Sequence, residues 1–316
     1  MNVVRKIGKA VKYLILLVLV IAGGALLWLR WDAHQPRAAY FDERQGEIIS
    51  AAVTESRTPY GQKSEFVHVG SDSGLNVRFR VIRDDATDTQ LPVMIVLGGQ
   101  RTGSDAVDLF GNVGARAVVG IDYPYDGPKR IRGLSQTLSA IAPARQGFLD
   151  TVPATSLALD WVLAQPWADP DNVIVVGGSL GVPFAARAAV RDTRITAALL
   201  VHGAADNRLW LEVQIARRIE SRLLHQPLSY VVHWLAYGPE LNTAEHVAAI
   251  APRPVVIIGA RQDERTPAGE AQRLYDLAGD PKRLRYTEGL HIEGDRPEVV
   301  EALLRVADEE MPFLLQ

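Results

Sequence analysis

The sequence predicts an α/β fold: a mostly parallel sheet of about eight strands with helices on both faces, an N-terminal transmembrane helix and a helical, lid-like insert. Three observations predict it. Residues 65–69 and 76–82 alternate apolar and polar side chains around Gly70-Ser-Asp-Ser-Gly74, the signature of a hairpin. After them, apolar runs of strand length alternate with stretches of helical spacing. The 316 residues carry an ordinary globular mixture of apolar and charged side chains, enough for one large core.

The N-terminus stands apart from that composition. Residues 13–29 read YLILLVLVIAGGALLWL without a charge, preceded by Arg5, Lys6, Lys9 and Lys12. With its flanks, such a run spans a hydrocarbon layer of roughly 30 Å. The basic cluster predicts a cytoplasmic N-terminus with the remaining chain outside, in a bacterial periplasm or exterior. No A-x-A cleavage site follows the run, so an uncleaved anchor over 1–31 is expected rather than a removed signal peptide. Residues 32–64 are polar and of mixed charge, with helical character near 42–55. They read as a linker between anchor and a folded domain over 65–316.

Within that domain the apolar run 92–97 is a strand ending in Gly98-Gly99, followed by a short helix at 105–110 and a strand at 115–121. Residues 146–165 have helical spacing through Leu149, Val152, Leu157, Leu159 and Val162. Strands follow at 173–176, 195–201, 254–258 and 283–286, with helices at 180–190, 268–277 and 297–307. Between strands, residues 205–250 form a long insert with helical patterns and the aromatics Tyr230, Trp234 and Tyr237. It reads either as a lid over a pocket or as helices packed on the sheet edge.

In parallel sheets ligands gather at the carboxyl ends of the strands. Residues just after strands are therefore the candidates for chemistry. Val173-Ile-Val-Val-Gly177-Gly178-Ser179-Leu180-Gly181 puts a serine between a buried strand and a small-residue helix. To present its hydroxyl above the sheet, Ser179 must occupy a strained strand-to-helix turn. Glycine at 177 and 181 removes side chains that would collide across the bend. A hydroxyl needs a base to become nucleophilic at neutral pH. Of the seven histidines, His291 follows the last strand in a loop at the sheet's carboxyl edge. His202 ends a strand but precedes the expected acid. The orienting acid is expected at Asp263, after the 254–258 strand, with Glu264 on the same loop and Asp206 after the preceding strand as alternatives. An oxyanion hole is expected from the backbone N–H groups of Leu180 and Gln100, the latter after Gly98-Gly99. Tyr123 and Tyr125 are candidates for a pocket wall.

These residues resemble the α/β-hydrolase superfamily, and within it the dienelactone hydrolase and prolyl-oligopeptidase-like esterase branch. The resemblance is carried by Asp169-Pro170 leading into Gly177-Gly-Ser179-Leu-Gly181, by Ala251-Pro-Arg-Pro-Val-Val-Ile-Ile-Gly259 with Asp263-Glu-Arg-Thr-Pro267, and by Gly289-Leu-His291. It covers about residues 65–310. It implies a Ser179-His291-Asp263 triad, an acyl-enzyme, a carboxylic ester substrate, and no metal or organic cofactor. The chain has no cysteine, which sets aside the thiolate nucleophile of dienelactone hydrolases proper. An acyltransferase would use the same triad, and a non-catalytic binding protein would have a broken one. The weakly acidic net charge of −3 without a long basic run argues against nucleic acid. The expected partners are an acyl substrate and the lipid bilayer.

Overall fold

A computed structural model describes residues 2–86, 89–99, 102–128 and 133–315. Helix α1 (Asn2–Ala33) and helix α2 (Ala38–Gln45) lead into strands β1 (Ile48–Arg57), β2 (Lys63–Ser71), β3 (Asn76–Arg83) and β4 (Leu91–Leu97). A 3-10 turn (Ser104–Phe110) precedes β5 (Ala117–Ile121), and helix α3 (Gly133–Leu163) precedes β6 (Ala168–Gly178). Then come α4 (Gly181–Arg191), β7 (Ala197–Val201), α5 (Asn207–Ala216), α6 (Arg222–Leu235) and α7 (Thr243–Ala249). The chain closes with β8 (Val255–Ala260), α8 (Glu270–Leu277), β9 (Lys282–Thr287) and α9 (Pro297–Leu314).

The nine strands form one sheet in the order β1-β2-β3-β5-β4-β6-β7-β8-β9. β1, β2 and β3 are antiparallel to their neighbours, while β5, β4, β6, β7, β8 and β9 run parallel. The parallel strands are apolar on both faces because both faces are covered. Val93, Ile95, Val175 and Leu200 pack with Phe41, Leu157 and Phe184 on one side. Met94, Val96, Ile174, Val176 and Leu199 pack with Val107, Leu303 and Phe313 on the other. Alternation along each strand thus feeds two cores at once.

Residues 32–64, expected as a linker, are instead built into the domain. Phe41 of α2 is fully buried, and Arg44 pairs with the buried Asp150 of α3 at 2.9 Å. The helical character expected near 42–55 resolves into α2 and a ten-residue edge strand. β1 pairs with β2 through its backbone, and nearly all its side chains are exposed. A strand wetted on both faces needs no alternation of apolar and polar residues, so its sequence carries no strand signal. α3 begins thirteen positions before the expected 146, and it runs through Pro143 and Pro153.

Helix α1 contains the span Val11–Ala33, 23 residues of mean hydropathy 2.3, long and apolar enough to cross a membrane. Its last turn is not free of the domain. Leu29 and Ala33 are buried, and α1 packs against α6.

A candidate active site at the carboxyl edge of the sheet

Ser179 sits at φ +52, a left-handed conformation that costs a non-glycine residue roughly 1–3 kcal/mol and persists only where its surroundings hold it. Its N–H donates to the Val201 carbonyl of β7 at 2.9 Å, and its own carbonyl accepts from Val182 N–H in α4 at 3.2 Å. The flanking glycines are obligatory for packing. A Cβ on Gly177 would lie 2.8 Å from the Val182 Cα, and one on Gly181 would lie 2.6 Å from the Leu97 carbonyl carbon. The sharp bend therefore lets β6 and α4 approach each other and β4 at backbone distance, lifting the serine above the sheet.

His291 reaches Ser179 from the loop after β9. Its ring Nε2 lies 2.7 Å from Ser179 Oγ, across 112 residues of chain. The other ring nitrogen, Nδ1, lies 2.9 Å from Asp263 Oδ2 and 3.0 Å from Oδ1. An ionised carboxylate can only accept, so Nδ1 carries the proton and Nε2 is free to accept from the serine hydroxyl. Asp263 also accepts from the N–H groups of Arg265 and Thr266, both at 2.8 Å. Burial pushes its carboxyl up, but the bonds from His291 and the two amides outweigh that and hold it below the usual carboxylate range.

The alternative acids have other partners. Glu264 accepts the His291 backbone N–H at 2.9 Å and pairs with Arg296 at 2.8 Å, so it holds the histidine's main chain and not its ring. Arg296 in turn donates to the His291 carbonyl at 2.9 Å. Asp206 caps α5, accepting from Leu209 N–H at 3.0 Å.

Of the expected oxyanion donors, Leu180 stands at the start of α4, where the helix dipole is positive. Its N–H has no intramolecular acceptor among the described residues. Gln100 lies outside the described residues. The loop before it is fixed beside the nucleophile: a Cβ on Gly99 would sit 3.9 Å from the Ser179 Cβ. Tyr123 donates its hydroxyl to the Gly98 carbonyl at 2.5 Å and meets Phe184 edge-on. It thus braces that loop, and neither Tyr123 nor Tyr125 lines the cavity next to Ser179.

That cavity, about 210 Å³, opens at Ser179 and Leu180 and is walled mainly by apolar side chains, among them Phe148, Phe184, Leu211, Val232 and Leu235. α3 forms one wall. α5 and α6, both within the 205–250 insert, form another, so the insert covers the site and is not confined to the sheet edge.

Reading the sequence by strand order passed over His202, which precedes the acid and so could not serve as the base. The structure places its ring 5.5 Å from that of His291. Its Nδ1 accepts from Ile292 N–H at 2.9 Å, which leaves the proton on Nε2, 3.2 Å from Thr287 Oγ1. His202 thereby pins the residue after the base. The strained φ of +51 at the end of β7 is the one local oddity it carries, and sequence does not display it. His202, Asp263 and His291 lie close enough to share a metal ion. Their lone pairs are already committed to Ile292, Ser179 and the Asp263–His291 pair, which leaves a poor donor set.

Burial, reinforced by the neighbouring His291, lowers the His202 imidazole to about 4. An unfolded histidine takes a proton near 6.5, so the unfolded chain binds more protons between those values. The stabilisation from neutral His202 is complete above about pH 6.5 and is lost as pH falls toward 4. We expect the thermal midpoint to drop across that window, and to drop less steeply in His202→Gln. Equal slopes in the two proteins would show that His202 does not stay neutral in the fold.

With strand order, bend and loop positions in hand, the class follows: the chain has the α/β-hydrolase fold. It is similar to the acetyl xylan esterase from Paenibacillus sp. R4, at 19% identity and TM-score 0.60, over 86% of this chain and 93% of that one. It is similar to acetyl xylan esterase 1 from Thermoanaerobacterium sp. JW/SL YS485, at 18% identity and TM-score 0.57, over 85% and 92%. An α/β hydrolase from Penicillium sp. sh18 matches at 16% identity and TM-score 0.52, over 84% and 99%. No family model and no curated protein matches the sequence.

Proposed function

We propose that this chain is a membrane-anchored serine hydrolase that cleaves a carboxylic ester through an acyl-enzyme. One observation carries the reading: the unbroken line of hydrogen bonds from Ser179 through His291 to Asp263, at 2.7 and 2.9 Å, next to an apolar cavity. As Ser179 Oγ attacks the substrate carbonyl, its proton passes to His291 Nε2. Asp263 stays ionised throughout, in keeping with its lowered pKa, and stabilises the imidazolium. The tetrahedral oxyanion takes the Leu180 N–H, with Gln100 N–H as the second donor. His291 returns the proton to the leaving alcohol, and water then resolves the acyl-enzyme by the same steps in reverse order. The esterase names of the Paenibacillus and Thermoanaerobacterium neighbours support an ester over an amide.

Helix α1 serves as an uncleaved single-pass anchor with the hydrolase on the outer side of the membrane. The basic residues before the span support that orientation, and the burial of Leu29 and Ala33 against the domain supports retention of the helix. The test is a fluorophosphonate probe on the detergent-solubilised full chain. We expect covalent labelling of wild type and none of Ser179→Ala. Labelling that persists without Ser179, or a folded wild type that does not label, ends the proposal.

A further inference from the structure

We infer that the substrate is a bilayer-resident ester, an amphiphile whose acyl or alkyl chain stays dissolved in the membrane while its carbonyl enters the Ser179 cavity. The inference deepens the proposed hydrolase function and rests on it.

It begins from a contact that ties the anchor to the cavity wall. Asp32, in the last turn of α1, accepts from Arg145 of α3 at 2.5 Å and from Arg37 at 2.7 Å. Both guanidinium groups lie over the Tyr237 ring, at 4.4 and 5.0 Å from its centre. Arg145 itself lines the cavity that holds Ser179. The uncharged stretch of α1 ends at Leu29, so Asp32 stands only about 4.5 Å along the helix axis beyond the hydrocarbon edge. That is headgroup depth, the layer in which the ester carbonyls of a lipid lie.

α3 links the cavity wall to the end of the anchor. Its partners step back in sequence toward α1 along its length. Asp160 accepts from Gln45 at 2.7 Å, Asp150 pairs with Arg44 at 2.9 Å, and Arg145 pairs with Asp32. The N-terminal part of α3 is therefore the part that meets the last turn of α1. Ile141, one turn before Arg145, lines the cavity as well. Leu138 comes next and is exposed over 58% of its surface. Seven residues before Arg145, it lies about 10 Å further along the helix, on the side away from Asp160. An exposed leucine one turn before Ile141, which with Phe148 belongs to the cavity lining, gives this end of α3 an apolar surface that we assign to contact with lipid. A water-soluble ester requires no such surface.

The test uses the full chain reconstituted in phosphatidylcholine vesicles. It compares 4-methylumbelliferyl butyrate in the aqueous phase with 4-methylumbelliferyl oleate dissolved in the same bilayer. We expect the oleate rate to follow its mole fraction in the membrane, falling when extra phospholipid dilutes it at constant bulk concentration. Leu138→Asp should lower the ratio of oleate to butyrate turnover roughly tenfold, since it puts a charge where the exposed leucine would meet lipid. The substitution lies on an exposed turn, and the butyrate rate within the same protein reports its folding. An oleate rate that tracks bulk concentration, or an unchanged ratio in Leu138→Asp, overturns the inference while leaving the hydrolase standing. Failure to hydrolyse either ester removes the hydrolase and the inference together. Protein that does not float with the vesicles removes the anchor, and the inference with it.

Discussion

Ser179→Ala is expected to lower kcat on a nitrophenyl ester by about 10⁴- to 10⁶-fold with little change in KM. The two parts of that expectation have separate causes. Alanine keeps the Cβ, so the strain at φ +52 and the backbone bonds to Val201 and from Val182 persist. The apolar cavity is unaltered, and substrate binding with it. What is lost is the oxygen 2.7 Å from His291 Nε2, and without it no acyl-enzyme forms. The fold should survive, because the deleted group contributes a single side-chain hydrogen bond worth roughly 1 kcal/mol. Steady-state kinetics beside a thermal melt separates the two effects. Turnover within a hundredfold of wild type, from a protein that melts normally, would mean that another group attacks the carbonyl.

The residues at this site differ in how far the sequence reveals them, and the difference is physical. Ser179 announces itself because a strained bend between close-packed elements tolerates little but glycine at 177 and 181. Asp263 and His291 can be found because a parallel sheet delivers functional groups just after its strands, and their strands are apolar runs. The same logic reaches Glu264 and Asp206 as alternatives behind Asp263, and strand position alone does not settle the choice. The ranking depends on which side chain faces an imidazole and which a backbone amide or a helix N-terminus, and that is a matter of a few ångströms. β1 is silent because its two faces are wet. The domain role of 32–45 is silent because it rests on pairings such as Asp32 with Arg145 and Arg44 with Asp150, which span more than a hundred residues. Neither partner has a local pattern that names the other. His202 belongs with these. Its importance comes from what crosses to it from the loop after β9.

Asp263→Asn is expected to lower kcat/KM by about 10³- to 10⁴-fold while the protein stays folded. Asn is nearly the same shape, so the loss tests proton placement and not packing. In the wild type Asp263 Oδ1 accepts from Arg265 and Thr266 N–H, while Oδ2 faces His291 Nδ1. The two amides require an acceptor, so an asparagine at 263 must turn its carbonyl oxygen toward them. Its NH₂ group then faces His291 and donates to Nδ1. The imidazole responds by carrying its proton on Nε2, where it points at Ser179 Oγ and can no longer accept from it. Serine and histidine remain in place in the wrong protonation pattern. Asp206→Asn should stay within about threefold of wild type, because asparagine caps a helix nearly as well as aspartate. Glu264→Gln should do likewise, since a glutamine oxygen can still accept the His291 N–H. A large loss in Asp206→Asn or Glu264→Gln, with Asp263→Asn near wild type, would assign the orienting carboxylate elsewhere and require a different path for the proton.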